Sequence, residues 1–106
     1  MIKTVHLSEI GKFDPVTLKS HLIHDSPYFK ILIFNFTAGQ ELSLHTHELE
    51  GQKSLHLLSG RGEFLGPSGA SQPAQAGDLL ICDISEPHGF KAHTEARLLV
   101  TIAPPI

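Results

Sequence analysis

Eight histidines stand in this 106-residue chain, as many as lysine and arginine together, and three of them are spaced in a way that could do chemistry. His45 and His47 flank Thr46. On an extended strand, residues two apart project from the same face, so this pair would set two imidazoles side by side, a geometry suited to chelating one metal ion. His88 comes from a distant segment and would join them if the intervening chain folds back in hairpins. Three neutral imidazoles suit Zn, Fe, Ni, Cu or Mn, and ligand type alone does not choose among these divalent transition metals. Three are also enough for an open site that keeps a position for water or substrate. His6, His21, His24 and His93 read as surface or loop residues.

The elements that must position these groups are strands. Turn signals recur at short intervals, the pattern of an all-β sandwich or barrel. Residues 17–24 alternate weakly and end at the turn cluster Asp25-Ser26-Pro27. Residues 28–36 are rich in aromatic and β-branched side chains, which favour strands. Further strands are expected over 41–47, 53–58, 62–65, 79–82, 88–92 and 96–102, separated by glycine, serine and proline turns. In the strand over 41–47, Leu42 and Leu44 fall on the face opposite His45 and His47. Pro104-Pro105 ends the last one, because proline cannot donate to a ladder. A single helical turn is expected around Leu7 to Ile10.

Length and composition bound the rest. The chain reads as one domain, residues 1–106, with a modest core. Hydrophobic residues at 41% and charged residues at 18% describe an ordinary globule and exclude a disordered segment. A net charge of -3 with scattered lysine and arginine argues against nucleic acid and against an anionic membrane surface. No apolar run is long enough to span a bilayer. A lone cysteine, Cys82, cannot form an internal disulfide, and no signal-peptide core develops near Met1, so the cytoplasm is the expected compartment.

The residues around the histidines fall in an ordered series: Gly39, five residues, His45-Thr46-His47, Gln52, Gly60, then Gly77-Asp78 and Pro87-His88. This series resembles the two motifs of the cupin superfamily and spans roughly residues 39–92. The resemblance implies a double-stranded β-helix, a small jelly-roll barrel with a metal near one mouth. It also implies a homodimer. The chain departs from the family pattern at three places. Asp83 and Ser85 replace the usual proline and glycine, and Ala92 replaces the closing asparagine. Most important, no glutamate stands at the usual ligand position. Counting forward from His47 reaches Gln52, whereas counting back from Gly60 reaches Lys53. A bulge near Gln52-Lys53 would absorb the extra residue and turn Gln52 toward the metal, with Leu55 and Leu57 kept on the core face. The Lys53 register instead leaves Gln52 solvated and the site with three histidines.

The implied ligand set is therefore His45, His47, Gln52 and His88. With glutamine replacing glutamate it is neutral, and the full divalent charge would polarise carbonyl or carboxylate oxygens. Glu48 and Glu50 are rival donors that read better as loop residues. His56 reads as outward-facing, opposite Leu55 and Leu57. Phe90 shares the face of His88 and would line the cavity or pack in the core. Cys82 reads as a small core residue, and Arg61 and Arg97 as solvated strand-end residues. Two functions follow. The first is a metal-dependent enzyme acting on a small oxygen-rich compound such as a sugar acid, by isomerase, lyase or dioxygenase chemistry. The second is a non-catalytic module that binds or senses a small molecule in the same cavity.

Overall fold

The computed structural model describes residues 1–106. Nine strands carry the fold: β1 (Lys19–Asp25), β2 (Lys30–Phe36), β3 (Glu41–His45), β4 (Gln52–Ser59), β5 (Arg61–Leu65), β6 (Ser71–Gln75), β7 (Leu79–Asp83), β8 (His88–Ala92) and β9 (Ala96–Ala103). They form two antiparallel sheets, one ordered β1-β2-β9-β4-β7 and the other β3-β8-β5-β6. The sheets face each other as an open jelly roll. The expected turn near Leu7 is a short 3-10 turn, Leu7–Glu9. No helix is long and apolar enough to cross a membrane.

Strand alternation decides what lies between the sheets. In β9, Ala96, Leu98, Val100 and Ile102 are buried while Arg97, Leu99 and Thr101 face the other way. In β4 the buried set is Lys53, Leu55 and Leu57. These residues pack with Phe36, Phe64, Ile84 and Phe90 in one core cluster, apart from Lys53, which is polar. Phe90 meets Phe36 at a ring-centroid distance of 5.1 Å and Phe64 at 5.8 Å, within the range where edge-to-face aromatic pairs stabilise a core. Phe90 is thus a core residue and not a cavity wall.

Behind the five-stranded sheet, Ile33 and Asn35 are buried, and Asn35 lies against Gly11 of the N-terminal segment. Arg97 anchors that segment: the guanidinium donates to the carbonyls of Leu7 and Ile10, and Nε donates to Asn35 Oδ1 at 3.1 Å. Arg97 is therefore committed to structure, neither solvated nor at a ligand site.

Two local features fix where the site residues fall. Gly60 closes the β4–β5 turn at φ +84, and a Cβ there would lie 2.2 Å from the Glu95 carbonyl oxygen, so only glycine fits. In β3 a register irregularity lies between Leu42 and His45, which pair with Phe90 and His88 respectively. Leu42 therefore packs against the core, contrary to the simple alternation that places it opposite His45. Leu44 is exposed.

Candidate functional site

The centre is assembled from both sheets. His45 ends β3 and lies directly across from His88, which opens β8. Their ring centroids are 4.3 Å apart at 61°. Each ring is oriented by a backbone carbonyl: His45 Nδ1 donates to Ser43 O at 2.8 Å and His88 Nδ1 to Glu86 O at 2.6 Å. A carbonyl can only accept, so the Nδ1 atoms carry the protons and both Nε2 atoms present lone pairs. Opposite them, from β4 of the other sheet, comes Lys53. Its Nζ donates to His88 Nε2 at 2.9 Å and to His45 Nε2 at 3.3 Å.

Burial is graded across this group. His88 and Lys53 are buried, at 1% and 6% exposure, His45 is half-buried and His47 is exposed. The group therefore opens to solvent on the His45 and His47 side. His47 lies beyond the end of β3, its backbone N–H donating to Ile84 O at 3.0 Å while the Thr46 hydroxyl donates to Ser85 O at 2.6 Å. These bonds hold the loop, and the His47 ring stands 5.5 Å from that of His45, centroid to centroid.

Electrostatics follow the same gradient. Burial pushes His88 and His45 below the ordinary histidine value; the carbonyls of Glu86 and Ser43 oppose this, and Lys53 and His47 add to it. Burial also lowers Lys53, opposed by Cys82, its partner across the β4–β7 pairing. Cys82 in turn is raised by burial, with Lys53 pulling the other way.

Gln52 does not join the centre, and the bulge expected near Gln52-Lys53 is not there. Pairing of β4 with β7 runs without interruption from Gln52 to His56, so period-two alternation places Lys53 with Leu55 and Leu57 inside and Gln52 outside. The extra residue is absorbed in the loop between β3 and β4. Gln52 is exposed, its amide donates to Asp83 Oδ1 at 3.3 Å, and it lines an acidic surface hollow of about 490 Å³ with Glu48, Glu50 and Asp83. Lys53 is the residue at the centre that motif matching passes over. Two signals pointed to it: the count back from Gly60 and its parity with Leu55 and Leu57.

The residues present do not fit a divalent metal. No group of three or more His, Cys, Asp or Glu side chains is arranged to hold one. The Nε2 lone pairs of His45 and His88, which a metal would need, already accept hydrogen bonds from Lys53. An ammonium has donors and no acceptor, so it competes with a cation for the same two atoms. What the centre offers instead is an N–H donor carrying positive charge, held by two oriented imidazoles close to a solvent-facing opening.

Comparison with known proteins agrees with this architecture. The cupin domain family matches residues 32–102. A solved RmlC-like cupin protein from Desulfovibrio desulfuricans is 45% identical over 100% of both chains, with a TM-score of 0.96. Ectoine synthase from P. lautus shares the fold at 22% identity, covering 99% of this chain and 80% of its own, with a TM-score of 0.77. The salicylate 1,2-dioxygenase from Pseudoaminobacter salicylatoxidans shares it at 17% identity and a TM-score of 0.72, covering 81% of this chain and 25% of its own. A comparison with the curated proteins finds no match. With two thirds of its length inside the family match and a full-length relative of the same fold, this chain belongs to the cupin family.

Proposed function

We propose that this cupin binds a small oxygen-rich acid at the mouth of the barrel, on the His45 and His47 side, with Lys53 supplying the positive donor. The observation that carries this reading is the Lys53 amine bridging the Nε2 atoms of His45 and His88. Two of the amine's N–H bonds are used on the imidazoles; as an ammonium it has a third, available to a carboxylate or carbonyl oxygen. A hydrogen bond to a charged group contributes about 1.5–3 kcal/mol, which would orient a small acid at the mouth without a metal.

The test is calorimetric titration of chelator-treated protein with a panel of small carboxylates and sugar acids. Binding of at least one class should survive the chelator, weaken by about ten- to a hundredfold in Lys53→Met, and stay unchanged in Gln52→Ala. Binding that appears only after a divalent ion is added would overturn the reading. That result would favour the metal-dependent enzyme of isomerase, lyase or dioxygenase type, for which one observation speaks. Both imidazoles are oriented through Nδ1 by backbone carbonyls, the arrangement common to metal-ligating histidines.

A further inference from the structure

The Lys53 amine stands where two imidazole lone pairs converge from the opposite sheet. We propose that Lys53 is a side-chain substitute for a metal ion: it holds the His45–His88 pair in a metal-binding arrangement while keeping metal out, so that Lys53→Glu alone makes the centre a divalent-cation site. This inference deepens the ligand-binding reading and rests on it for the role of the amine. Its test measures metal uptake without any organic ligand, so the two can fail separately.

Charge and geometry both support the exchange. With the imidazoles neutral, a lysine ammonium gives the centre one positive charge; a divalent ion beside a glutamate carboxylate gives the same total. The field toward the opening is therefore preserved when one arrangement replaces the other. Glutamate ends one bond short of lysine, leaving its oxygens drawn back by about 1.5 Å, a carbon–carbon bond length. The vacated end of the side chain lies 2.9 Å from His88 Nε2 and 3.3 Å from His45 Nε2. Modest approach of the two rings brings these to the roughly 2.0–2.1 Å of a metal–imidazole bond, with a carboxylate oxygen at about 2.0–2.2 Å. Neither ring needs to change tautomer, since the Ser43 and Glu86 carbonyls already hold the protons on Nδ1. His47 stands exposed at the rim, its ring 5.5 Å from that of His45, centroid to centroid.

The alternative donors are poorly placed. Gln52, Glu48 and Glu50 line the outer hollow, and Cys82 on β7 is half-buried with a thiol held protonated by burial. Lys53 is thus the one position on β4 that faces the imidazole pair.

The experiment uses the full chain without a histidine tag, stripped with chelator, incubated with zinc or cobalt, and desalted before elemental analysis. The wild type should retain little metal and show no change in melting temperature on adding zinc. Lys53→Glu should retain close to one ion per chain, melt at a higher temperature when zinc is added, and give the visible absorption of cobalt bound by nitrogen and oxygen. Lys53→Glu with His88→Ala should lose that metal. Because a buried carboxylate without its ion can prevent folding, Lys53→Gln provides a second arm. It frees both Nε2 lone pairs without adding charge and should bind zinc at least tenfold more tightly than the wild type. A wild type that retains an ion near stoichiometry overturns the proposal. So does the absence of any gain over wild type in both Lys53→Glu and Lys53→Gln.

Discussion

Replacing Lys53 by methionine sets two opposed costs against each other. Methionine follows the same unbranched path into the interior, so little cavity forms. The donor to His88 Nε2 and His45 Nε2 is lost. His88 is only 1% exposed, and a buried acceptor left unpaired costs about 1–3 kcal/mol. His45 is half-buried and regains water at little cost. In the other direction, burial lowers the Lys53 pKa, which means that the fold holds the ammonium at neutral pH less readily than the unfolded chain does. Replacing a buried ionic group by an apolar one of similar shape is often neutral or stabilising. The balance predicts a stability within about 1 kcal/mol of wild type at pH 7, a melting temperature changed by no more than about 4–8 °C. Lys53→Ala orphans the same acceptor and also leaves a cavity, so it should cost about 2–5 kcal/mol.

The pH dependence separates this account from simple repacking. His45 and His88 titrate below their unfolded value in the fold, from burial first, and with Lys53 and His47 adding to it. A group with a depressed folded pKa contributes stability that is complete above its unfolded pKa, about 6.5 for histidine, and is lost as the pH falls toward the folded value. Removing the Lys53 charge brings both histidines closer to their ordinary value. Thermal melts followed by circular dichroism between pH 7 and pH 5 should therefore show a shallower acid loss in Lys53→Met than in wild type. A slope as steep as wild type, or a loss greater than about 3 kcal/mol at pH 7, would refute the reasoning.

Gly89 should be far less replaceable than Gly39. A Cβ at Gly89 would lie 2.6 Å from the Leu42 carbonyl oxygen and 3.0 Å from the Leu44 nitrogen, both backbone atoms of β3, whereas nothing lies within 4 Å at Gly39, where only the positive φ of 90° opposes a side chain. Denaturant midpoints should show Gly89→Ala near the upper end of the about 1–3 kcal/mol cost of overpacking and Gly39→Ala near the about 1 kcal/mol cost of left-handed strain; equal losses would contradict the close approach of β3 and β8. At Cys82, Lys53 opposes the rise that burial causes, so Lys53→Met should raise the thiol further and slow its alkylation at pH 8, and an unchanged or faster rate would count against the facing of these two side chains.

How much was legible in the chain depends on whether a residue's role is set locally. The aromatic and β-branched run of β2 and the alternation of β9 are local, and both strands fall where the pattern places them. Strand β6 escapes that pattern because it is polar and carries Pro73, which is tolerated because β6 is the edge of its sheet. His45 and His88 are brought together as their spacing suggests, but by direct cross-strand pairing through the irregularity after Leu42, which no short-range signal in β3 announces. The identity of the third group at the centre turned on where one extra residue is taken up. A loop absorbs an insertion more cheaply than a strand buried on one face, because a slip in the strand would turn Leu55 and Leu57 out of the core and Gln52 in. The core decided the register, and Lys53 came with it.

This origin of the site has a consequence for its energetics. His45 and His88 belong to the four-stranded sheet and Lys53 to the five-stranded one, so the amine is a polar contact across the interior at one end of an otherwise apolar core. Whatever occupies the centre therefore acts on the packing of one sheet against the other. A species that binds only the folded chain raises stability by about 2.7 kcal/mol at a hundred times its dissociation constant, an amount comparable to the whole cost of orphaning His88 Nε2. Occupancy of the centre and cohesion of the two sheets are thus coupled through the same three side chains, and the residue that aligned itself with Leu55 and Leu57 to satisfy the core is also the one that sets what the mouth of the barrel can hold.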